Sequence, residues 1–529
     1  MPTHPSSLPR RAVGEWVLTS THPYGNPFAD VVLDAVFHGP SGQTVPVPGF
    51  FDGDGTWRVR FSPNEAGEWR YAITSSPADP ELSGEGTLTV TSSDARGYLV
   101  STPNDAWGFR YESGEPVFLY GDTTYNLFGM AHCDKPVSAF LQRRAAQGFN
   151  LLRVRLPISP YHPPEGYSKW ETRRTWPWGG SEQVPRFDRF NLDYFRSVDA
   201  VIQEAEGLGV GLEMIMEAWG FEYPFNRRSL FVPEWEALWM RYLLARYDAY
   251  SCVYIWTLMN EYEYYPDGDW RYNPVADRWA IRVGRDVRRV GGHGHVIAVH
   301  NGPRMPTFAK RFEQAPEVID TIMYQEWGTR DKENGWLAIG IEDTIAKSLA
   351  GWWGSAVFAE WGYERNPDLD LRLPSHLYCC EQHTRRGAWR GAFCALGIIH
   401  GFENSWGPWC VLEEDQVGIR YLDIVRCFFT EVVSFAELAP SPERVRGPED
   451  AGEGERPLCL ATVDGGVIAV YLPVGGSVDV TLGEGAYRAR WFDPCTGALN
   501  DATGGPSYVA PEAIQDGHPQ DWVLLLERT

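Results

Sequence analysis

Two stretches of this chain end in acidic residues where chemistry could sit. In Val253–Glu263, VYIWTLMNEYE, an apolar β-prone run of the length a doubly buried strand needs stops at Asn260 and Glu261. In Ser355–Glu364, SAVFAEWGYE, a second short apolar run stops at Glu360. Taken alone, Asn-Glu after a strand also reads as the start of a solvated turn. Two such ends are harder to read that way. A pair of carboxylates brought together can divide proton transfer and nucleophilic attack between them. The glutamates lie 99 positions apart. At roughly 30 residues per βα unit of a (β/α)8 barrel, that gap holds three units. It places Glu261 after a fourth strand and Glu360 after a seventh, at the carboxyl ends where such barrels carry chemistry.

The elements that must position the pair are legible in order. Expected barrel strands are Val117–Tyr120, Phe149–Arg155, Val210–Met216, Val253–Met259, His295–Val299, Val318–Met323, Ser355–Ala359 and Gly397–Phe402. Amphipathic helices are expected between them, at Phe195–Leu208 (closed by Gly209), Pro233–Tyr247 and Val275–Val290. Eight alternations favour a closed barrel over an open sheet, and no GxGxxG or GxxxxGK[ST] loop marks a nucleotide-binding switch point. Before the barrel, short runs such as Thr56–Phe61 and Glu68–Thr74 alternate apolar and polar residues between Gly-rich turns, as sandwich strands do. After it, strands Leu458–Val463 to Trp522–Glu527 repeat that pattern. The expected fold is therefore α/β. A (β/α)8 barrel over 103–437 is flanked by an Ig-like β-sandwich over 13–98 and a small β-sandwich over 440–529, with a flexible tail at 1–12. The loop Ser159–Asp188 carries Trp170, Trp176 and Trp178 and either roofs the site or packs against a domain or partner subunit.

Composition narrows the partners. A net charge of −23 repels nucleic acid and anionic membrane. The 23 tryptophans form mostly core, with a surplus near strand ends that suits sugar rings. Nine cysteines show no disulfide framework, and His293 and His295 in GGHGH lack the further ligands a metal needs. No cofactor is expected. Neither an apolar leader nor an 18-residue apolar run is visible, so a cytoplasmic protein, possibly a homo-oligomer, is the expectation.

The motifs PVFLYGDTTYNLF, GFNLLRVRL, WTLMNEYEY and VFAEWGYE resemble those of the apiosidase-like glycoside hydrolases of bacteria, over nearly the whole chain. One departure is Glu261 itself, an aspartate in many members, which bears on the sugar more than on the reaction type. The resemblance implies a retaining double displacement, with Glu360 as nucleophile and Glu261 as acid/base, their carboxyl groups about 5–5.5 Å apart. Asn260 then holds a 2-hydroxyl, Tyr324 bonds the nucleophile and Arg155 keeps it ionised. Asp122, Asn301 and Glu326 become candidates for hydroxyl binding, and Trp219, Trp361 and Trp406 for ring contacts. The implied function is an exo-acting furanosidase or related glycosidase on small glycosides or oligosaccharides. The alternatives are a non-catalytic carbohydrate-binding barrel and a retaining endo-acting glycanase.

Overall fold

The computed structural model describes residues 4–103, 105–157, 175–269, 271–302, 308–327, 341–365, 378–402, 405, 415–452, 454–515 and 517–529. Eight parallel strands form its centre: β1 (Tyr120–Thr123), β2 (Leu151–Arg155), β3 (Gly211–Trp219), β4 (Val253–Asn260), β5 (Val296–His300), β6 (Thr321–Gln325), β7 (Ser355–Glu360) and β8 (Gly397–Phe402). They pair in chain order, and β8 closes on β1 with Tyr120 opposite Ile398. The expected (β/α)8 barrel is present. Its first strand begins three residues later than the apolar run suggested. The Asn150 side chain takes the Tyr120 amide and the Phe118 carbonyl, each at 2.9 Å, so this stretch satisfies its backbone without a ladder.

Alternation along the strands divides the barrel interior into two zones. Leu151, Ile255, Val296, Ala298, Met323, Val357, Ala359 and Ile399 form a dry lower cluster. Two residues further along β2, β4, β5 and β6 stand Arg153, Thr257, His300 and Gln325, all buried. The outer faces pack on the helices in a much larger cluster, which holds Tyr324, Phe358 and Trp361.

Strand β7 breaks the alternation. Tyr324 pairs with Phe358, but the next residue, Gln325, pairs with Glu360, leaving Ala359 as an extra residue. This is a β-bulge, rare between parallel strands, and it re-aims the side chain that follows. Ala359 and Glu360 are consecutive, yet Ala359 belongs to the inner cluster and the Glu360 carboxylate is also held by interior groups.

A seven-stranded sheet precedes the barrel, and its long strand Thr44–Gly53 is shared between two layers around Trp16, Trp57 and Trp69. Six- and three-stranded sheets follow the barrel around a core of Leu524, Leu526 and Trp491. The tail expected at 1–12 is largely held in place. Ser7–Pro9 adds an edge strand beside Thr89–Thr91, and Arg11 pairs with Glu112. The Pro- and Glu-rich stretch after the barrel is also partly woven in, with Ala439 opposite Ala461 and Val445 opposite Val480. Of the tryptophan-bearing loop, Trp170 lies outside the described residues. Trp176 and Trp178 are buried beside the hairpin Trp178–Gly180/Pro185–Phe190, and Trp178 packs on Phe187, Phe231 and Trp239.

Candidate active site

Arg153 of β2 and the last residues of β4, β5, β6 and β7 converge at the carboxyl end of the barrel. Glu360, 5% exposed, is held through both oxygens. Its Oε2 accepts from Tyr125 Oη and from Arg153 Nη1, each at 3.0 Å, and its Oε1 accepts from Gln325 Nε2. Arg153 is fully buried. It also donates to Asn260 Oδ1 and lies 3.5 Å from Glu213, which Thr257 bonds at 2.7 Å. Burial alone would drive off its proton, but the surrounding phenols and carboxylates outweigh that and keep the guanidinium charged. Arg153 therefore fixes Glu360 and Asn260 together.

Glu261 directly follows β4 in a left-handed conformation, φ 47° and ψ 52°. A non-glycine residue held there stores backbone strain, of order 1–3 kcal/mol. Its amide donates to His300 Nδ1 at 3.3 Å, which leaves the ring proton on Nε2, 3.7 Å from Glu360 Oε2. Burial, and then Arg153, push the His300 pKa well below the ordinary value, so the ring is neutral. The Glu261 carboxyl moves the other way. Burial first, and then the Glu360 charge, raise its pKa well above the usual carboxylate range. Glu261 thus holds its proton more tightly than an ordinary carboxyl, beside a carboxylate tied to an arginine.

Around this pair Asn260 Nδ2, Trp219 Nε1, His300 Nε2, Gln325 Oε1 and Arg153 Nε have no hydrogen-bond partner among the described residues. Such atoms recur elsewhere in the interior, as at Trp16 and Trp57, but those grouped here are available to the hydroxyls of a ligand. A second register shift, with Glu217 opposite Met259 but Trp219 opposite Asn260, sets the Trp219 ring beside that asparagine.

Other sequence expectations land elsewhere. Arg155 does not reach Glu360. It bonds Glu222 and Asn126, each at 3.3 Å, and lies 4.2 Å over the Trp219 ring. Arg153 has the same strand parity but sits one inward position deeper, level with Glu213. Tyr324 faces outward and bonds Ser348 at 3.0 Å, and its neighbour Gln325 meets Glu360 instead. Asp122 also faces away from the site, paired with Arg144 at 2.7 Å and with Ser405 at 3.0 Å. The Asn301 side chain is spent on backbone: Oδ1 takes the Gln325 amide, and Nδ2 donates to the carbonyls of Gln325 and Gly302. Trp361 is fully buried between Phe358 and His400, because the bulge turns Glu360 inward in its place. Glu326 is half-buried, and its amide bonds the Glu360 carbonyl at 3.1 Å. Trp406 lies outside the described residues. Tyr125, Arg153, His300 and Gln325 are the members that sequence reasoning did not place. Strand parity from Met323 could have selected Gln325 over Tyr324. Tyr125 follows β1 in a loop and carries no periodic signal.

Tyr363 completes the wall, with Oη 3.4 Å from Tyr125 Oη. Gly401 makes room for it, since a Cβ there would stand 2.3 Å from the Tyr363 ring. Among the described residues no group of three His, Cys, Asp or Glu is arranged to hold a metal.

Residues 105–417 match the family "Apiosidase-like, catalytic domain". Residues 11–76 match a domain of unknown function, DUF5060, and residues 449–527 match the "Putative collagen-binding domain of a collagenase". No curated protein matches the chain. Among solved structures, a provisionally named glycoside hydrolase of Bacteroides vulgatus is 17% identical with a TM-score of 0.69, covering 99% of this chain and 100% of its own. A glycoside hydrolase family 5 structure from the same organism is 19% identical with a TM-score of 0.60, covering 82% of this chain and 94% of its own. At these identities the two structures speak for the fold.

Proposed function

Because the chain belongs to the apiosidase-like family and is a glycoside hydrolase, we propose that it cleaves its glycosidic bond by retaining double displacement, through Glu360 and Glu261. The observation that carries this reading is the opposite treatment of two adjacent carboxyls. Glu360 is bound by a charged guanidinium, a phenol and an amide, whereas at Glu261 burial and the Glu360 charge outweigh Arg153 and Gln325 and hold the proton more tightly than on an ordinary carboxyl. In the first step a Glu360 oxygen bonds the anomeric carbon as the bond to the leaving oxygen breaks. That oxygen takes the Glu261 proton. In the second step Glu261 removes a proton from water, the water oxygen bonds the anomeric carbon, and Glu360 leaves as carboxylate. Two inversions return the original configuration. Asn260 Nδ2 is free to hold the 2-hydroxyl, and Trp219 and His300 offer further N–H groups to the sugar.

The family's name favours a furanoside, cleaved in exo fashion from small glycosides or oligosaccharides. A panel of dinitrophenyl and nitrophenyl furanosides and pyranosides tests this, with the anomer of the first-formed product read by NMR. Glu261→Gln should stay fast in the first step on dinitrophenyl substrates only. Added azide should speed its turnover and give a glycosyl azide of retained configuration. Inverted product ends the double displacement. Full turnover by both Glu261→Gln and Glu360→Gln returns the site to a binding role.

A further inference from the structure

We propose that Gln325 is the positioning residue that fixes which oxygen of Glu360 attacks. This inference rests on Glu360 being the nucleophile. The two oxygens of Glu360 are held unequally. Oε2 takes a charged donor, Arg153, and the Tyr125 phenol, whereas Oε1 takes only the neutral amide of Gln325. A charge-assisted hydrogen bond is roughly twice as strong as a neutral one and withdraws correspondingly more electron density. Oε1 is therefore the better nucleophile, and Gln325 aims it.

Gln325 is held for that task. Asn301 pins its backbone at both polar atoms, at 2.7 Å to the amide and 3.0 Å to the carbonyl. The extra residue in β7 sets Gln325 directly across from Glu360. The same side chain also faces Glu261, whose carboxylate form it favours, so one amide spans both acids. Its own Oε1 stays unpartnered among the described residues, which keeps the amide from being drawn toward another donor.

The test compares Gln325→Leu and Asn301→Ala with wild type on the dinitrophenyl and nitrophenyl glycosides of whichever panel sugar is turned over. A nucleophile displaced by about 1 Å costs on the order of 10²-fold. Gln325→Leu should therefore lower kcat/KM by about 10²-fold, equally for good and poor leaving groups. Azide should not rescue it, and the acid limb of the pH profile should move upward. Loss of Glu261 gives the contrary pattern, dependent on the leaving group and rescued by azide. Asn301→Ala keeps the amide but frees the backbone beneath it, and should show the same signature at about tenfold. It also serves where Gln325→Leu does not fold. A Gln325→Leu enzyme within threefold of wild type, with its acid limb unmoved, overturns the inference while leaving the double displacement standing. If Glu360→Gln itself keeps turnover, both fall. Where no panel sugar is turned over, crystals of Gln325→Leu decide. A Glu360 carboxylate rotated away from Glu261 supports the inference, and an unmoved one overturns it.

Discussion

Strand β4 has a buried carboxylate at each end, and the barrel handles the two in opposite ways. Below it, Asp248 accepts at Oδ2 from the amides of Gly292 (3.0 Å) and His293 (3.1 Å) and from His293 Nδ1 (3.1 Å). Its Oδ1 takes the Trp256 indole at 3.1 Å, and its carbonyl takes His295 Nε2 at 2.6 Å. Burial alone would raise its pKa, but these partners, led by His295, bring it down to about 2. His293 passes the connection on, accepting the Ser62 amide of the N-terminal sheets at 3.2 Å. Above the strand, Glu261 has a strained backbone, and burial and the Glu360 charge raise its pKa although Gln325 and Arg153 oppose them. The lower acid is fully satisfied and serves stability. The upper one is left short of partners, which costs stability and keeps a proton ready for transfer.

Substitutions break the comparison in order of size. On the proposed double displacement, Glu360→Gln should lower kcat by at least about 10⁴-fold, since it removes the group that forms the covalent bond. Asp248→Asn should leave kcat of the folded enzyme unchanged but cost about 2–3 kcal/mol of stability at pH 7. The depressed pKa means that Asp248 stabilises above pH 3.8, its ordinary value, and that this is lost as pH falls through about 2. The deficit of the variant, read from urea midpoints, should therefore shrink in acid. Glu261→Gln should instead be more stable than wild type at alkaline pH. Its raised pKa gives stability that is present below 4.5 and lost as pH climbs through the folded value. A melting temperature for Glu261→Gln that falls below wild type at pH 9 would contradict the unmet-partner account. The basic limb of its pH–rate profile should disappear as well.

The smallest effect sharpens the same point. Among the described residues the buried Glu364 carboxyl is bonded only by Thr384 (2.7 Å) and the Gly418 amide (2.8 Å), and burial lifts its pKa to about 7. Its contribution is complete below 4.5 and fades as pH rises through 7. Glu364→Gln should flatten melting temperature between pH 6 and 8, a change of roughly 1–1.5 kcal/mol. An unchanged slope would mean that Glu364 is not the group titrating there.

The fold was legible because its signals are local and repeated. Pro233–Tyr247, Val275–Val290 and Gly397–Phe402 begin and end where propensity and caps place them. Glu261 and Glu360 were legible as candidates because each ends an apolar strand. Their partners were not, since a strand's alternation states which residues share a face but not how deep each lies. Arg153 and Arg155 were equivalent on paper and differ by one layer in the barrel. Tyr324 and Trp361 stand near strand ends in the sequence, yet parity and the bulge turn both toward the helices. Asp122 stands at a strand end too, but its partner Arg144 lies on a helix 22 residues on, and no spacing rule links them.

The extra residue in β7 gives the site a sensitivity that its spelling does not show. Glu360 faces the interior because Ala359 stands outside the pairing. Were Ala359 paired with Gln325 in plain alternation, the glutamate would turn to the helix side with every residue unchanged in type. Loss of Ala359 itself would keep the glutamate opposite Gln325. Two strands of identical sequence can therefore present different faces to the barrel, according to which residue the ladder skips. An alignment compares residue types and is blind to that choice. In this strand, pairing carries functional information that residue identity does not.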